Sequence, residues 1–358
     1  MPISTRLTTT LQIRVPIIQG GMQWIGLSPL AAAVSNAGGL GILTALTQPS
    51  PAHLASEIAA TRALTPHPFG VNITLLPALN PPDYIAYAQT IIDAGVRIVE
   101  TAGNSPGPVI KLLKEAGCVV IHKCTTIRHA RAAVKLGVDF LSIDGFECAG
   151  HVGESDITNF ILLGRARQVF GDTPFVASGG FADGEGLAAA LALGAEGINM
   201  GTRFMCTIEA PIHTNVKRAI VEAGEGDTEL VLRSFRNTTR LYGNRVARQA
   251  VGIEREKGKD VVFEDVRELV SGVRGRRVFE SGDVEEGVWT AGQVIGLIHD
   301  IPSCAELVAR IEREAEEAVG RVEALISKGE DKEGRGKKVG DNVNNPQAEV
   351  WAIGKSKL

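Results

Sequence analysis

The stretch FVASGGFADGEGLAAALALGAEGINMGTRF, residues 175–204, holds two strand–turn–helix units in direct succession. A short apolar run, FVAS, breaks at Gly179-Gly180 and passes into an alanine- and leucine-rich helical stretch that stops at Gly194. A second run, GINM, then breaks at Gly201-Thr202. Neither run alternates apolar with polar residues, so both faces of each strand must be covered, as in a parallel sheet flanked by helices. Toward the N-terminus the same unit recurs: PIIQ from residue 16, LGIL from 40, FGVNI from 69, RIVE from 97, VVIH from 119 and DFLSI from 139. An open doubly wound sheet shares this pattern, but eight units favour an α/β fold closed into a (β/α)8 TIM barrel.

After about residue 207 the alternation ends. Helical patterns appear in HTNVKRAIVEA, TELVLRSFRN, FEDVRELVSG, AGQVIGLI and CAELVARIEREAEEAVGRVEALISKG. The expected organisation is a barrel over 1–212 and 303–327, a mainly helical lid over 213–302 covering the active-site rim, and a flexible tail over 328–358. That tail is polar and glycine-rich and ends in Ser356-Lys357-Leu358, the tripeptide read by the peroxisomal import receptor. In a eukaryotic host it predicts a peroxisomal protein; otherwise the expectation is cytoplasmic.

With 358 residues and 44% hydrophobic content the chain can bury a large core. Its formal charge of −4 offers no basic field for nucleic acid, so a small-molecule substrate is expected. Five scattered cysteines, an odd number, argue against a disulfide framework, and no apolar run reaches the roughly 20 residues that span a bilayer.

In a barrel, residues that follow the strands gather at one rim, where barrel enzymes place their chemistry. That frame collects Gly20, Gly21 and Met22 after the first strand, Asn72 and Thr74 at the third, and Lys123 at the fifth. Asp144, Gly150 and His151 follow the sixth, then Ser178, Gly179 and Gly180 the seventh, and Gly201 and Thr202 the eighth. Glycines after the last two strands let backbone N–H groups approach a phosphate, although tight turns alone would also use them. NAGGLGIL at 36–43 lacks the spacing of a dinucleotide fingerprint and runs from helix to strand. A flavin mononucleotide needs one phosphate cradle, a few donors and a glycine-rich wall, which QGGMQW, Asn72, Thr74 and Lys123 could supply. A barrel lysine could equally form a buried ion pair or a Schiff base, the latter in a flavin-free isomerase or aldolase; a non-catalytic flavin carrier is a further alternative. His151, set between Gly150 and Gly153 in SIDGFECAGHVGE, has no apolar helical face to occupy, which suits it to a substrate-facing proton transfer. Cys148 and His151 could form half a metal site, but no matching second pair exists, so no metal is expected.

Together, PIIQGGMQW, SNAGGLGIL, PFGVNITLLP, ETAGN, IHKCT, SIDGFECAGHVGE, ASGGFADG and INMGTRF resemble the nitronate monooxygenase family, formerly called 2-nitropropane dioxygenases, over about residues 5–325. The resemblance implies an FMN-containing barrel with the phosphate on Gly179, Gly180, Gly201 and Thr202. It places Gly21, Met22, Thr74 and Lys123 around the ring and makes His151 the active-site histidine. It implies oxidation of alkyl nitronates such as propionate 3-nitronate with O2. A second branch acts as an NADH:quinone reductase, with NADH as co-substrate, and LLPALNPPDY, HKCT and FECAGH look closer to that branch.

Overall fold

A computed structural model describes residues 3–75, 81–104 and 106–333. Residues 334–358 of the expected flexible tail, with its terminal tripeptide, and part of the LLPALNPPDY segment lie outside the described residues; residues 328–333 do not begin a tail but continue the helix Cys304–Glu333, whose backbone hydrogen bonding carries past the expected end at 327.

Eight parallel strands close a barrel: β1 Ile17–Gln19, β2 Leu40–Thr44, β3 Phe69–Leu75, β4 Ile98–Gly103, β5 Val119–Cys124, β6 Phe140–Asp144, β8 Phe175–Ser178 and β9 Ile198–Met200, with β9 pairing back onto β1. The short β7, Gly150–His151, lies outside the barrel sheet. Helices fill the connections, and several start on the expected caps: Ser50, Asp83, Thr126 and Asp183 each accept an amide N–H of the first turn. The expectation of a (β/α)8 barrel holds.

Strand parity sorts the core into two layers. Val71, Val99, Val120, Leu141 and Ala177 point outward and pack with helix residues such as Leu54, Ile91, Leu113 and Leu187. Ile18, Leu40, Ile42, Ile98, Ile121, Phe140 and Val176 point inward and fill one end of the barrel, joined by Leu7 and Leu11 of the N-terminal helix Arg6–Leu11. Further along the same inward-facing positions the residues turn polar, at Asn72, Glu100, Lys123, Ser142, Asp144, Ser178 and Asn199. The apolar layer thus floors a polar one at the strands' C-terminal ends.

The described residues up to 318 form one compact unit that includes both the barrel and the segment after it. Helices Thr214–Glu222 and Cys304–Glu333 match the sequence reading. Three other helical readings are overturned. TELVLRSFRN contains β10, Thr228–Val231, and a 3-10 turn, while FEDVRELVSG and AGQVIGLI form 3-10 turns. β10 pairs with β11, Thr239–Tyr242, and β11 pairs antiparallel with β7, making a three-stranded sheet of order β10-β11-β7. The stretch stays extended because these ladder bonds satisfy its backbone, a long-range term that outweighs the local helix preference of Glu229 and Leu230. Among the described residues no helix is long and apolar enough to cross a membrane.

Candidate active site

The polar layer is one connected belt. Register sets Asn72 beside Glu100, Lys123 beside Ser142, Asp144 beside Ser178, and Ser178 beside Asn199. Glu100 is fully buried and takes three donors: the Gly21 amide at 3.1 Å and the Asn72 amide nitrogen at 2.8 Å on Oε1, and the Asn199 amide nitrogen at 2.8 Å on Oε2. β4 and β9 stand on opposite sides of the barrel, so the Glu100–Asn199 bond crosses its interior. Thr74 donates to Asn72 Oδ1 at 2.8 Å. On the other flank Lys123 Nζ lies 3.3 Å from Asp144 Oδ1 and donates to Ser178 Oγ at 3.2 Å.

Burial alone would depress the Lys123 ammonium, but the Asp144 and Glu100 carboxylates outweigh it and hold its pKa above the ordinary lysine range. Asp144 is pushed upward by burial, with Lys123 opposing. The belt therefore carries a protonated lysine at neutral pH. Of the alternatives open in the sequence, this is the buried ion pair; an amine held protonated is a poor Schiff-base nucleophile.

The first loop leans on this belt. A Cβ on Gly20 would strike Asn199 Oδ1, and one on Gly21 would strike the Asn72 side chain, so only bare backbone fits at either place. Met22 exchanges hydrogen bonds with Thr44: its amide donates to Oγ1 at 2.9 Å, and Oγ1 donates to its carbonyl at 3.0 Å. Its sulfur lies 3.5 Å from where a Cβ on Gly201 would stand, which brings the first and last rim loops together.

The loops after β8 and β9 adjoin. Gly179 and Gly180 have φ of 80° and 83°, in the left-handed region, and a Cβ on Gly179 would lie 2.5 Å from Cys148 Cβ. Asn159 buttresses the turn by donating to the carbonyls of Ser178, at 2.9 Å, and Gly179. Among the described residues no acceptor meets the amide N–H groups of Gly179, Gly180 or Gly201, so these donors are open to an anion. Thr202 is differently placed: it is buried, and its Oγ1 accepts the Gly292 amide at 3.0 Å, tying the loop to the segment after the barrel.

His151 sits on β7, paired with Thr239 of β11. The His151 side chain is exposed to solvent, with protein packed close enough around it to disfavour its charged form. That crowding lowers its pKa below 6.5, against a smaller opposing pull from the Asn237 side chain, which favours the protonated ring, so the imidazole is neutral at pH 7. Beneath the loop, Arg240 donates to Phe146 O at 3.0 Å and to Thr228 Oγ1 at 3.0 Å, and lies 4.7 Å from the centre of the Phe146 ring. Gly150 faces Arg240 across the β7–β11 ladder, with Thr290 nearby. Cys148 is buried, and burial raises its thiol pKa, leaving it protonated.

The candidate residues singled out after the strands lie at the strands' C-terminal ends or in the loops that follow them, whereas Thr101, expected at the rim with Thr44 and residues 102–104, turns to the outer layer and bonds His122. Glu100, Ser142, Asn159, Asn199 and Arg240 escaped the sequence reading. Parity could have found two of them, since Glu100 and Ser142 fall on the inward positions marked by Ile98 and Phe140. Arg240 carried no such signal, because its strand was read as part of a helical segment.

The nitronate monooxygenase family model matches residues 4–314. A relative from Mycobacterium tuberculosis, a (3aS,4S,5R,7aS)-5-hydroxy-7a-methyl-1-oxo-octahydro-1H-indene-4-carboxyl-CoA dehydrogenase, is 33% identical, covering 91% of this chain and 100% of its own. A nitronate monooxygenase of Neurospora crassa is 28% identical over 87% of this chain and 92% of its own. Among solved structures, FabK from Thermotoga maritima superimposes with a TM-score of 0.81 at 35% identity, covering 90% of this chain and 99% of its own. Nitroalkane oxidase from Streptomyces ansochromogenes does so with a TM-score of 0.74 at 29% identity, covering 88% and 99%. The chain is an oxidoreductase-type (β/α)8 barrel and belongs to the nitronate monooxygenase family.

Proposed function

We propose that the chain is an FMN-dependent oxidoreductase that oxidises alkyl nitronates, such as propionate 3-nitronate, with O2. The observation that carries this reading is an exposed histidine, His151, on the loop whose Glu147 and Cys148 pack against Gly179 and Gly180, the turn whose amides have no acceptor among the described residues. The residues present fit FMN. Gly179, Gly180 and Gly201 offer unpaired amides to the phosphate, Gly20, Gly21 and Met22 form a wall with no room for side chains at its glycines, Lys123 adds an N–H donor, and Thr74, its hydrogen given to Asn72, adds an acceptor oxygen. Bound there, FMN would supply two-electron transfer between the carbon substrate and the oxidant.

The chain's own residues supply binding and proton handling. A neutral imidazole accepts a proton from a carbon acid, so His151 takes the α-proton of a nitroalkane and as imidazolium holds the nitronate it leaves. The β7–β11 pairing fixes the backbone that carries the ring. Lys123, held protonated, places positive charge beside the ring site, where it favours any negative charge that develops.

A second reading has support of its own. Two relatives, from Mycobacterium tuberculosis and Rhodococcus jostii, are 33% and 32% identical over nearly their whole length and are named as dehydrogenases of a carboxyl-CoA compound. The carbon next to a thioester carbonyl is also a carbon acid, so the same histidine would serve.

Anaerobic mixing separates the possibilities. Bleaching of the 450 nm flavin band by propionate 3-nitronate, with colour restored by O2, supports the first reading. Bleaching only by an acyl-CoA supports the second, and bleaching by NADH with reoxidation by a quinone supports the reductase branch. A colourless protein with no flavin band overturns all three. The peroxisomal proposal rests on Ser356-Lys357-Leu358 alone, and a fluorescent fusion with and without that tripeptide tests it.

A further inference from the structure

The belt has a centre that no expected role accounts for. Glu100 lies on β4 with no exposed surface, and three N–H donors from β1's loop, β3 and β9 converge on its two oxygens. Among the described residues only donors face it, the environment that suits a carboxylate, which accepts at both oxygens. Each donor is attached to something the site uses. The Gly21 amide belongs to the glycine wall, and Asn72 carries Thr74 on its other end. Asn199 turns its Oδ1 toward Gly20 while its amide nitrogen is also 3.5 Å from Ser142 Oγ, which in turn lies 3.4 Å from Asp144. The Glu100 charge also acts on Lys123 and on Asp144.

We infer that Glu100 is a positioning residue for the FMN site: its carboxylate fixes the Gly21 wall and the Asn72 and Asn199 carboxamides in one orientation, and sets the electrostatic balance around Lys123. The inference rests on the flavin reading above. Two effects are separable, because one depends on the reach of the carboxylate and the other on its charge. With both oxygens committed, an amide in its place must turn an N–H₂ group toward donors that need an acceptor. With the charge gone, the polar layer holds one cation, Lys123, against one carboxylate, Asp144.

The test uses the full-length protein stripped of FMN and retitrated with it, followed by fluorescence quenching, and the midpoint potential of the reloaded protein. Glu100→Gln is expected to weaken FMN binding about 10- to 100-fold, the range of a hydrogen bond to a charged group. It is also expected to move the potential to a more positive value, since loss of a negative charge favours the reduced, more negative cofactor. Glu100→Asp keeps the charge but withdraws the oxygens, so binding weakens while the potential stays at the wild-type value. A purely structural role would lower the unfolding temperature of both variants and leave the potential of both unchanged. That result overturns the inference, as does wild-type FMN affinity in Glu100→Gln. Should Glu100→Gln not fold, Asn199→Ala removes one donor and leaves the charge; it is expected to weaken FMN binding severalfold with an unchanged potential, and unaltered binding overturns the proposal. A wild-type protein that binds no FMN on titration overturns the flavin reading first, and is told apart by the absence of any quenching.

Discussion

His151 and His122 are neighbours in composition and opposites in circumstance. His151 is exposed, so its removal leaves little to collapse, and His151→Ala is expected to fold as the wild type does. As a general base it contributes on the order of 10² to 10⁴ in rate, so kcat/KM on the best nitroalkane or thioester substrate should fall by that much. The pH profile gives a second reading of the same residue. Crowding lowers the imidazole pKa, so the base form persists below 6.5, and the acid limb of kcat/KM should fall at a pH under that value. A limb centred above 6.5 would exclude this imidazole as the base. His122 faces the outer layer of the barrel, bonded to Thr101 Oγ1 at 2.8 Å, and burial, with a smaller push from His129, brings it down to about 4 against a weaker pull from Glu100. Between about pH 6.5 and 4 the unfolded chain binds the proton and the folded one does not, so stability is full above that window and falls as pH drops through it. At 1.36 kcal/mol per unit the loss is about 3 kcal/mol. Urea unfolding at pH 7 and pH 4 should show that slope, and His122→Gln, which keeps a partner for Thr101, should flatten it.

The sheet β10-β11-β7 is the element that turns a loop of the barrel into a platform for the histidine, and it was the part least visible in the sequence. Its strands are four, four and two residues long. Such pieces show no periodicity, and β7 extends only because β11 satisfies its backbone. The barrel strands were legible for the opposite reason: burial on both faces leaves an unbroken apolar run between helices, and glycine marks where each of the last two units turns. Within those strands the functional positions were only half legible. Lys123 stood out at a strand end, whereas Glu100 read as the close of an apolar run and Asn199 as part of one. Arg240 links the two kinds of element, since its guanidinium holds the Phe146 carbonyl and ring from the hairpin side. Arg240→Met keeps the stem and removes those contacts, and is expected to cost about 2 kcal/mol of stability, in the range for a charge-assisted hydrogen bond. Amide hydrogen exchange should quicken in residues 146–152 and 228–242 while the barrel strands stay protected. Faster exchange spread evenly over all strands would instead make Arg240 part of the barrel's global stability.

For the whole molecule the decisive feature is the division of the barrel interior into an apolar floor and a polar layer above it. A barrel filled with aliphatic side chains to the top would be more stable by ordinary burial, because each buried polar group must be matched or it costs about 1 to 3 kcal/mol. Here the matching is nearly complete on the belt, with Glu100, Asn72, Asn199, Lys123 and Asp144 all partnered, while the amides of Gly179, Gly180 and Gly201 are left open at its edge. Unmet donors at a rim are a standing cost that an anionic ligand removes, so the folded state should gain from FMN through mass action. At a free concentration of 100 times the dissociation constant the gain is about 2.7 kcal/mol. For a chain of this size that corresponds to a rise of roughly 3 to 4 °C in the unfolding temperature. Inorganic phosphate alone should give a smaller rise, since it engages the amides and leaves the Gly21 wall untouched, and riboflavin the complementary part. Differential scanning of the stripped protein with each of the three ligands measures the division, and a transition that ignores all of them would leave the open amides without a ligand and the oxidoreductase without its flavin.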